Sequence, residues 1–254
     1  MTAVFSSEWL KLRSVASTYH AMATAALPIV LGIVWTLYAT GLADERGSVR
    51  AAAPEQGFLP LLQMSLAVLG VLTITSEYAT GTIRTSLVAV PKRGTLLLAK
   101  SGVVGLTMFL AAHVILFVTH ATSRLMAGDR YLGFNEASFA DELPMLLASG
   151  LSATALALVG LGLGAVIRST AGAIVSVIAL LFVLPGIAVY LPPPWNTRVS
   201  TLLLPNLVPQ IADERLSSRL GDGFLPPWAA LALLFAYPVV TLAIGSYTLR
   251  RRDA

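Results

Sequence analysis

Residues 143–167 read LPMLLASGLSATALALVGLGLGAVI, twenty-five positions without a single charge. About 20 mostly apolar residues suffice to cross about 30 Å of hydrocarbon as a helix. Five further charge-free stretches qualify, Tyr19–Ala43, Gly57–Ser76, Ser101–Ser123, one centred on Ala171–Leu191 and one centred on Trp228–Leu249. Backbone polar groups in lipid must be satisfied within the segment, so each stretch is read as a helix. The spacing therefore predicts an all-α polytopic membrane protein with six spans, one membrane domain over residues 1–254.

Composition agrees. The 254 residues are 56% hydrophobic and 12% charged, with mean hydropathy +0.78. Soluble domains carry about 25% charged residues, so a soluble enzyme, a disordered regulator and a DNA-binding domain are excluded. Cysteine is absent, which removes disulfides, thiolate metal sites and a Cys nucleophile. Lysine is scarce beside arginine, 3 against 14, as in proteins of GC-rich bacteria. The first apolar stretch, of about 25 residues after Lys11 and Arg13, exceeds the 7–15 of a signal-peptide core and reads as an uncleaved span.

Charge sets the expected orientation. With the N-terminus inside, segments 1–18, 77–100, 168 and 250–254 hold ten Lys/Arg and three acids. The outer segments 44–56, 124–142 and 192–222 hold seven Lys/Arg and ten acids. Excess Lys/Arg on the inner side predicts both termini in the cytoplasm. The pI of about 9.6 follows from topology, and no nucleic-acid partner is needed. The loop 192–227 opens with Pro192, Pro193, Pro194 and Trp195; its uncharged run Val199–Ala212 reads as a re-entrant or interface-lying hairpin, or as an ordinary folded loop.

Catalytic and energy-coupling motifs are missing. Lys11, Lys92 and Lys100 follow Leu10, Pro91 and Ala99, so no Gly-Lys-Ser/Thr phosphate loop exists. His20, His113 and His120 are followed by Ala or Val, which excludes His-Glu-x-x-His. In Gly150-Leu151-Ser152 the second glycine of a nucleophile elbow is replaced by Thr154. The six charge-free stretches contain no carboxylate, which argues against a self-powered carrier. His113 and His120, seven apart, share a helix face, either as a substrate-contacting or proton-relay pair or as neutral histidines bonded within the bundle or near its outer rim. Gly160-x-x-x-Gly164, with Gly162 between, offers a smooth face for packing inside the bundle. Pro28, Pro185 and Pro238 fall within spans and can bend them.

Two segments outside the spans carry a functional signal. Phe5, Trp9 and Leu12 fall at i, i+4 and i+7, and with Lys11 and Arg13 to meet anionic headgroups they predict a short helix lying in the inner interface. Between spans two and three, Ile83, Leu87 and Val90 repeat that spacing, Pro91 ends the run, and Gly81 supplies a bend at its start. A short amphipathic helix thus projects from the inner face, suited to a docking partner.

EYATGTIRTSLVAVPKR (residues 77–93) resembles the first cytoplasmic loop of type-2 ABC exporter permeases, and SEWLKLRS (residues 7–14) resembles that family's opening amphipathic helix. Six spans and a Pro-rich outer segment before the last span also fit, so the resemblance covers essentially the whole chain. It implies a permease subunit that pairs with a second copy or a homologous permease and with separate cytoplasmic ABC ATPase subunits, in a bacterial plasma membrane. ATP and Mg are expected on the ATPase, with no cofactor and no enzymatic activity in this chain. The resemblance assigns Glu77, Tyr78, Gly81, Thr82 and Arg84 to the coupling element that meets the ATPase. It assigns Phe5, Glu8, Trp9 and Lys11 to a connecting helix beside it. A self-contained channel or secondary carrier without an ATPase is the alternative. The aliphatic spans suit a lipid, an amphipathic peptide or a hydrophobic drug, and export is the family's expected direction.

Overall fold

A computed structural model describes residues 2–89, 93–212 and 225–251. The described residues form helices and no strands: α1 (Thr2–Ser14), α2 (Ala16–Arg46), α3 (Pro54–Gly57), α4 (Leu59–Thr80), α5 (Thr82–Ala89), α6 (Arg93–Ala127), α7 (Phe139–Ile167), α8 (Thr170–Ile178), α9 (Leu184–Ala188), α10 (Trp195–Leu202), α11 (Leu204–Ala212) and α12 (Pro227–Arg251). A π-helical turn, Ala179–Val183, joins α8 to α9 into one span. Six segments are long and apolar enough to cross a membrane, one for each predicted stretch.

The helix ends differ from the charge-free limits. α6 begins at Arg93 rather than Ser101, and its 35 residues reach about 52 Å at about 1.5 Å per residue, far beyond about 30 Å of hydrocarbon. Its first two turns therefore carry Lys100 on a continuous helix rather than on a loop. Glu77 and Tyr78 likewise belong to the last turns of α4, and the predicted coupling loop shrinks to α5 and its flanks. Asp141 and Glu142 fall in the first turn of α7, where Ser138 caps the helix and accepts from the Asp141 amide. Carboxylates thus occupy the ends of spanning helices, although the apolar middles contain none.

α7 is the central element, packed against α4, α6, α8, α11 and α12. Its crossing with α4 is set by glycine. A Cβ on Gly70 would lie 1.9 Å from the Ala157 carbonyl oxygen, and one on Gly160 would lie 2.4 Å from that of Ala67. Only hydrogen on both helices allows the backbones this close. The glycine face of α7 therefore serves packing inside the bundle. Leu62, Leu66, Leu69, Met108, Leu116 and Leu161 fill the core around this crossing.

The segment 199–212 folds as two short helices, α10 and α11, separated at Leu203 by extended backbone. Leu204 and Leu207 enter the core beside Leu156 and Leu234. Gln210 donates to the carbonyls of Thr201 (2.8 Å) and Asn206 (2.7 Å), and Tyr237 donates to that of Leu202 (2.9 Å). α11 packs against the spanning helices α7 and α12. In the fifth span, the Leu184 amide donates to the Ala179 carbonyl five residues back. The chain widens there ahead of Pro185, which has no amide hydrogen to give.

Candidate functional site: a buried charge cluster beneath the α4–α5 turn

α1, α4, α5 and the start of α6 meet on the face of the bundle that carries the first helix, called here the near face. Gly81 ends α4 with φ 72°, a left-handed conformation that glycine adopts freely, and turns the chain into α5. Ile83 is buried beneath α5, whereas Gly81, Thr82, Arg84 and Thr85 are exposed. Val88 is 83% exposed, an apolar side chain presented outward on a helix of polar neighbours. The Leu87 side chain and residues 90–92, including Val90 and Pro91 of the predicted face, lie outside the described residues.

The apolar face expected on α1 is divided in the structure. Phe5 and Trp9 remain 38% and 40% exposed, while Glu8 is 3% exposed and Leu12 is 7%. The face turned into the protein is therefore carried by Glu8 and Leu12, one helical turn apart. Lys11, expected to meet anionic headgroups, turns inward instead. Its Nζ donates to Glu8 Oε1 (2.6 Å), Glu77 Oε1 (3.0 Å) and Ser86 Oγ (2.9 Å), so one ammonium touches α1, α4 and α5. A buried carboxylate needs a cation close by, and Lys11 supplies one to Glu8 and Glu77.

Lys100 completes the cluster from α6. Its Nζ is hydrogen-bonded to Glu8 Oε2, to Glu77 Oε1 at 2.9 Å and to the Thr73 carbonyl at 3.3 Å. Lys100 is 4% exposed and Glu77 is 7% exposed. Two carboxylates and two ammonium groups make the cluster neutral. Burial pushes the Glu8 carboxyl upward, but Lys100 and then Lys11 outweigh it and hold the carboxyl below its usual value. Burial works against the Lys11 ammonium, and Glu8 and Glu77 outweigh it and raise its value. Oxygen Oε2 of Glu77 is buried without a hydrogen-bond partner. Beside the cluster lies a cavity of about 330 Å³, walled by Leu12, Val15, Leu69, Leu72, Val103 and Val104 and floored by the charged groups.

The five coupling residues therefore divide. Gly81, Thr82 and Arg84 face outward, while Glu77 and Tyr78 turn into the bundle. Tyr78 is half-buried against the core, with the Arg168 guanidinium 5.2 Å from its ring centre. Lys100 was missed in the sequence reading; its signal was a lone cation opening span three opposite a lone acid closing span two.

The histidines part company as well. His113 is buried against Phe109, its Nδ1 is 2.8 Å from the Phe109 carbonyl, and its ring covers Gly150, as a packed histidine inside the bundle does. His120 lies at the opposite, far face among Glu55, Arg124 and Glu142.

Residues 4–186 match the family described as ABC-2 family transporter protein. The chain belongs to that family, which makes it a multi-pass membrane permease subunit of an ABC transporter, a class that works with an ABC ATPase. No curated protein sequence matches it.

Proposed function

We propose that the chain is the membrane half of an ATP-driven exporter of a bacterial plasma membrane, with the near face and both termini in the cytoplasm. The observation that carries this reading is the four-residue cluster of Glu8, Lys11, Glu77 and Lys100. It ties the connecting helix α1, the inner ends of spans two and three, and α5 through Ser86 into one unit directly behind the exposed turn at Gly81, Thr82 and Arg84.

Binding of Mg-ATP closes a pair of partner ATPases, which push on the exposed side of α5. The ionic joint transmits the push, because each carboxylate is shared between two ammonium groups and none can leave without stranding a buried charge. α4 and α6 then tilt against α7, and a path opens between this permease and a second copy or a homologous permease. The apolar cavity with its charged floor fits a hydrophobic or amphipathic substrate entering from the inner leaflet. Transport follows only if the substrate binds the two states with different affinity.

The test is co-purification from mild detergent. A near-stoichiometric P-loop ATPase is expected with the native chain, and loss of it in Arg84→Glu with Val88→Asp, both exposed, at unchanged thermal stability. Full retention of the ATPase by that variant would exclude α5 as the docking element. Absence of any ATPase under gentle conditions would exclude ATP-driven transport.

A further inference from the structure

The far face holds a second group of ionisable side chains that the coupling reading does not use. Glu55 comes from the short α3 that precedes span two, His120 and Arg124 from the end of span three, and Glu142 from the first turn of α7. Glu55 and His120 are 4% and 5% exposed, and the Glu142 side chain is 18% exposed.

Nδ1 of His120 lies 3.3 Å from Glu55 Oε1 and 3.4 Å from Glu142 Oε2. One ring nitrogen cannot make a good hydrogen bond to two carboxylates at once, and both distances exceed the usual bond length of about 2.9 Å. They do match the edge of a tetrahedron around an ion with bonds of about 2.0–2.1 Å, whose ligand atoms stand about 3.3–3.4 Å apart. All three ligand atoms lie within 4.8 Å of one another.

The remaining contacts are those of a shell that orients ligands. Arg124 donates through Nη2 to Glu142 Oε1 (2.6 Å) and Glu55 Oε1 (2.9 Å), and through Nη1 to Glu55 Oε2 (3.3 Å) and Ser123 Oγ (3.0 Å). Oε2 of Glu142 is thus left free of Arg124 and faces the histidine. Phe139 packs over the His120 ring at 5.6 Å between centres, and Phe134 lies under the Arg124 guanidinium at 4.9 Å. Arg124 offsets one of the two carboxylate charges, and because an imidazole binds a metal in its neutral form, the pocket keeps one net negative charge for a cation.

We propose that Glu55, His120 and Glu142 form a divalent-metal site suited to Zn²⁺, with Arg124 as the group that positions the carboxylates. One imidazole and two carboxylates, with a fourth position left for water, are a ligand set of that ion. The bound ion joins the Arg124 ion pairs to Glu55 and Glu142 in clamping the far ends of spans two, three and four, and so holds that end of the bundle closed.

The experiment is equilibrium dialysis of the full-length protein, purified in detergent and stripped of metal, against buffered Zn²⁺ and then Co²⁺. The expected result is one ion per chain, visible d–d bands of tetrahedral Co²⁺, and an X-ray absorption signature of one imidazole and oxygens. Affinity should fall by more than tenfold in His120→Gln and in Glu142→Gln, and by about 10–100-fold in Arg124→Lys, the range for groups that orient ligands. The native protein alone decides the question if a variant misfolds: failure to bind at about 10 μM free Zn²⁺, well above the sub-micromolar range of structural zinc sites, overturns the proposal. Binding unchanged in His120→Gln, or an octahedral Co²⁺ spectrum without imidazole, overturns it as well. A far face governed by protons alone appears as no bound ion and is counted among the refuting results.

Discussion

Replacing Lys100 by Met isolates the charge of the near-face cluster while keeping much of the side chain's length and volume. In the native chain Lys100 Nζ is bonded to Glu8, to Glu77 at 2.9 Å and to the Thr73 carbonyl at 3.3 Å. Without it, two carboxylates that are 3% and 7% exposed share one ammonium, Lys11, whose side chain is itself 39% exposed. Breaking a buried ionic arrangement from one side costs about 3–5 kcal/mol, because an uncompensated charge remains in low dielectric. That is a fall of roughly two to four decades in the folding equilibrium constant at about 1.4 kcal/mol per decade. The double variant Glu77→Gln with Lys100→Met removes one charge of each sign and leaves Glu8 paired with Lys11 at 2.6 Å. It should return to within about 1–2 kcal/mol of the native protein, since neutral replacements of buried ion pairs are well tolerated. Reversible unfolding in mixed micelles measures both. The double variant should insert and fold yet transport poorly while its partner still turns over ATP, because α4 and α6 are no longer tied through the joint. A Lys100→Met loss below about 1 kcal/mol, or no recovery in the double variant, would refute the claim that the cluster is a charge-balanced joint.

Glycine at the α4–α7 crossing makes a sharper packing prediction. Gly70→Ala puts a methyl 1.9 Å from the Ala157 carbonyl, so the helices must part and about 1–3 kcal/mol or more is lost, whereas Gly186→Ala, with nothing within 4 Å, should leave the melting temperature unchanged. Docking of α1 should hold a plateau between two pH limits. Glu8 titrates lower docked than free, so its contribution is full above about 4.5 and is lost as pH falls through the lower docked value; Lys11 titrates higher docked, so its contribution is full below about 10.5 and is lost above it. Fluorescence of a variant retaining Trp9 as its sole tryptophan reads the release, and an acid midpoint above 4.5 would contradict the arrangement. At the far face, Arg130 and Asp44 form an exposed bidentate pair, 2.7 and 3.1 Å, and Asp44→Asn should leave thermal stability unchanged, in contrast with Lys100.

Hydrophobic length alone determined the class of this protein. Six charge-free stretches have no stable home outside a bilayer, and helices are the form in which their backbones are satisfied there. The short helix at α5, its glycine bend at residue 81 and the family's loop pattern were equally legible, because each is a local property of a short stretch. What the apolar stretches could not locate was the true end of each helix. α6 runs eight residues past its charge-free limit, and α4 carries Glu77, because a helix continues wherever tertiary neighbours can satisfy its charges. Which side chains of α1 turn into the protein was hidden for the same reason. Periodicity weighs apolar residues at i, i+4 and i+7 and points to Phe5, Trp9 and Leu12, whereas the partners that draw Glu8 and Lys11 inward stand on α4 and α6, 66 to 92 residues away in the chain. The far-face cluster likewise joins Glu55 to His120 from 65 residues away in the chain. Hydrophobic burial is written in local composition and survives a linear reading, but charge compensation depends on which distant helix brings the opposite sign, and that was decided by the tertiary structure.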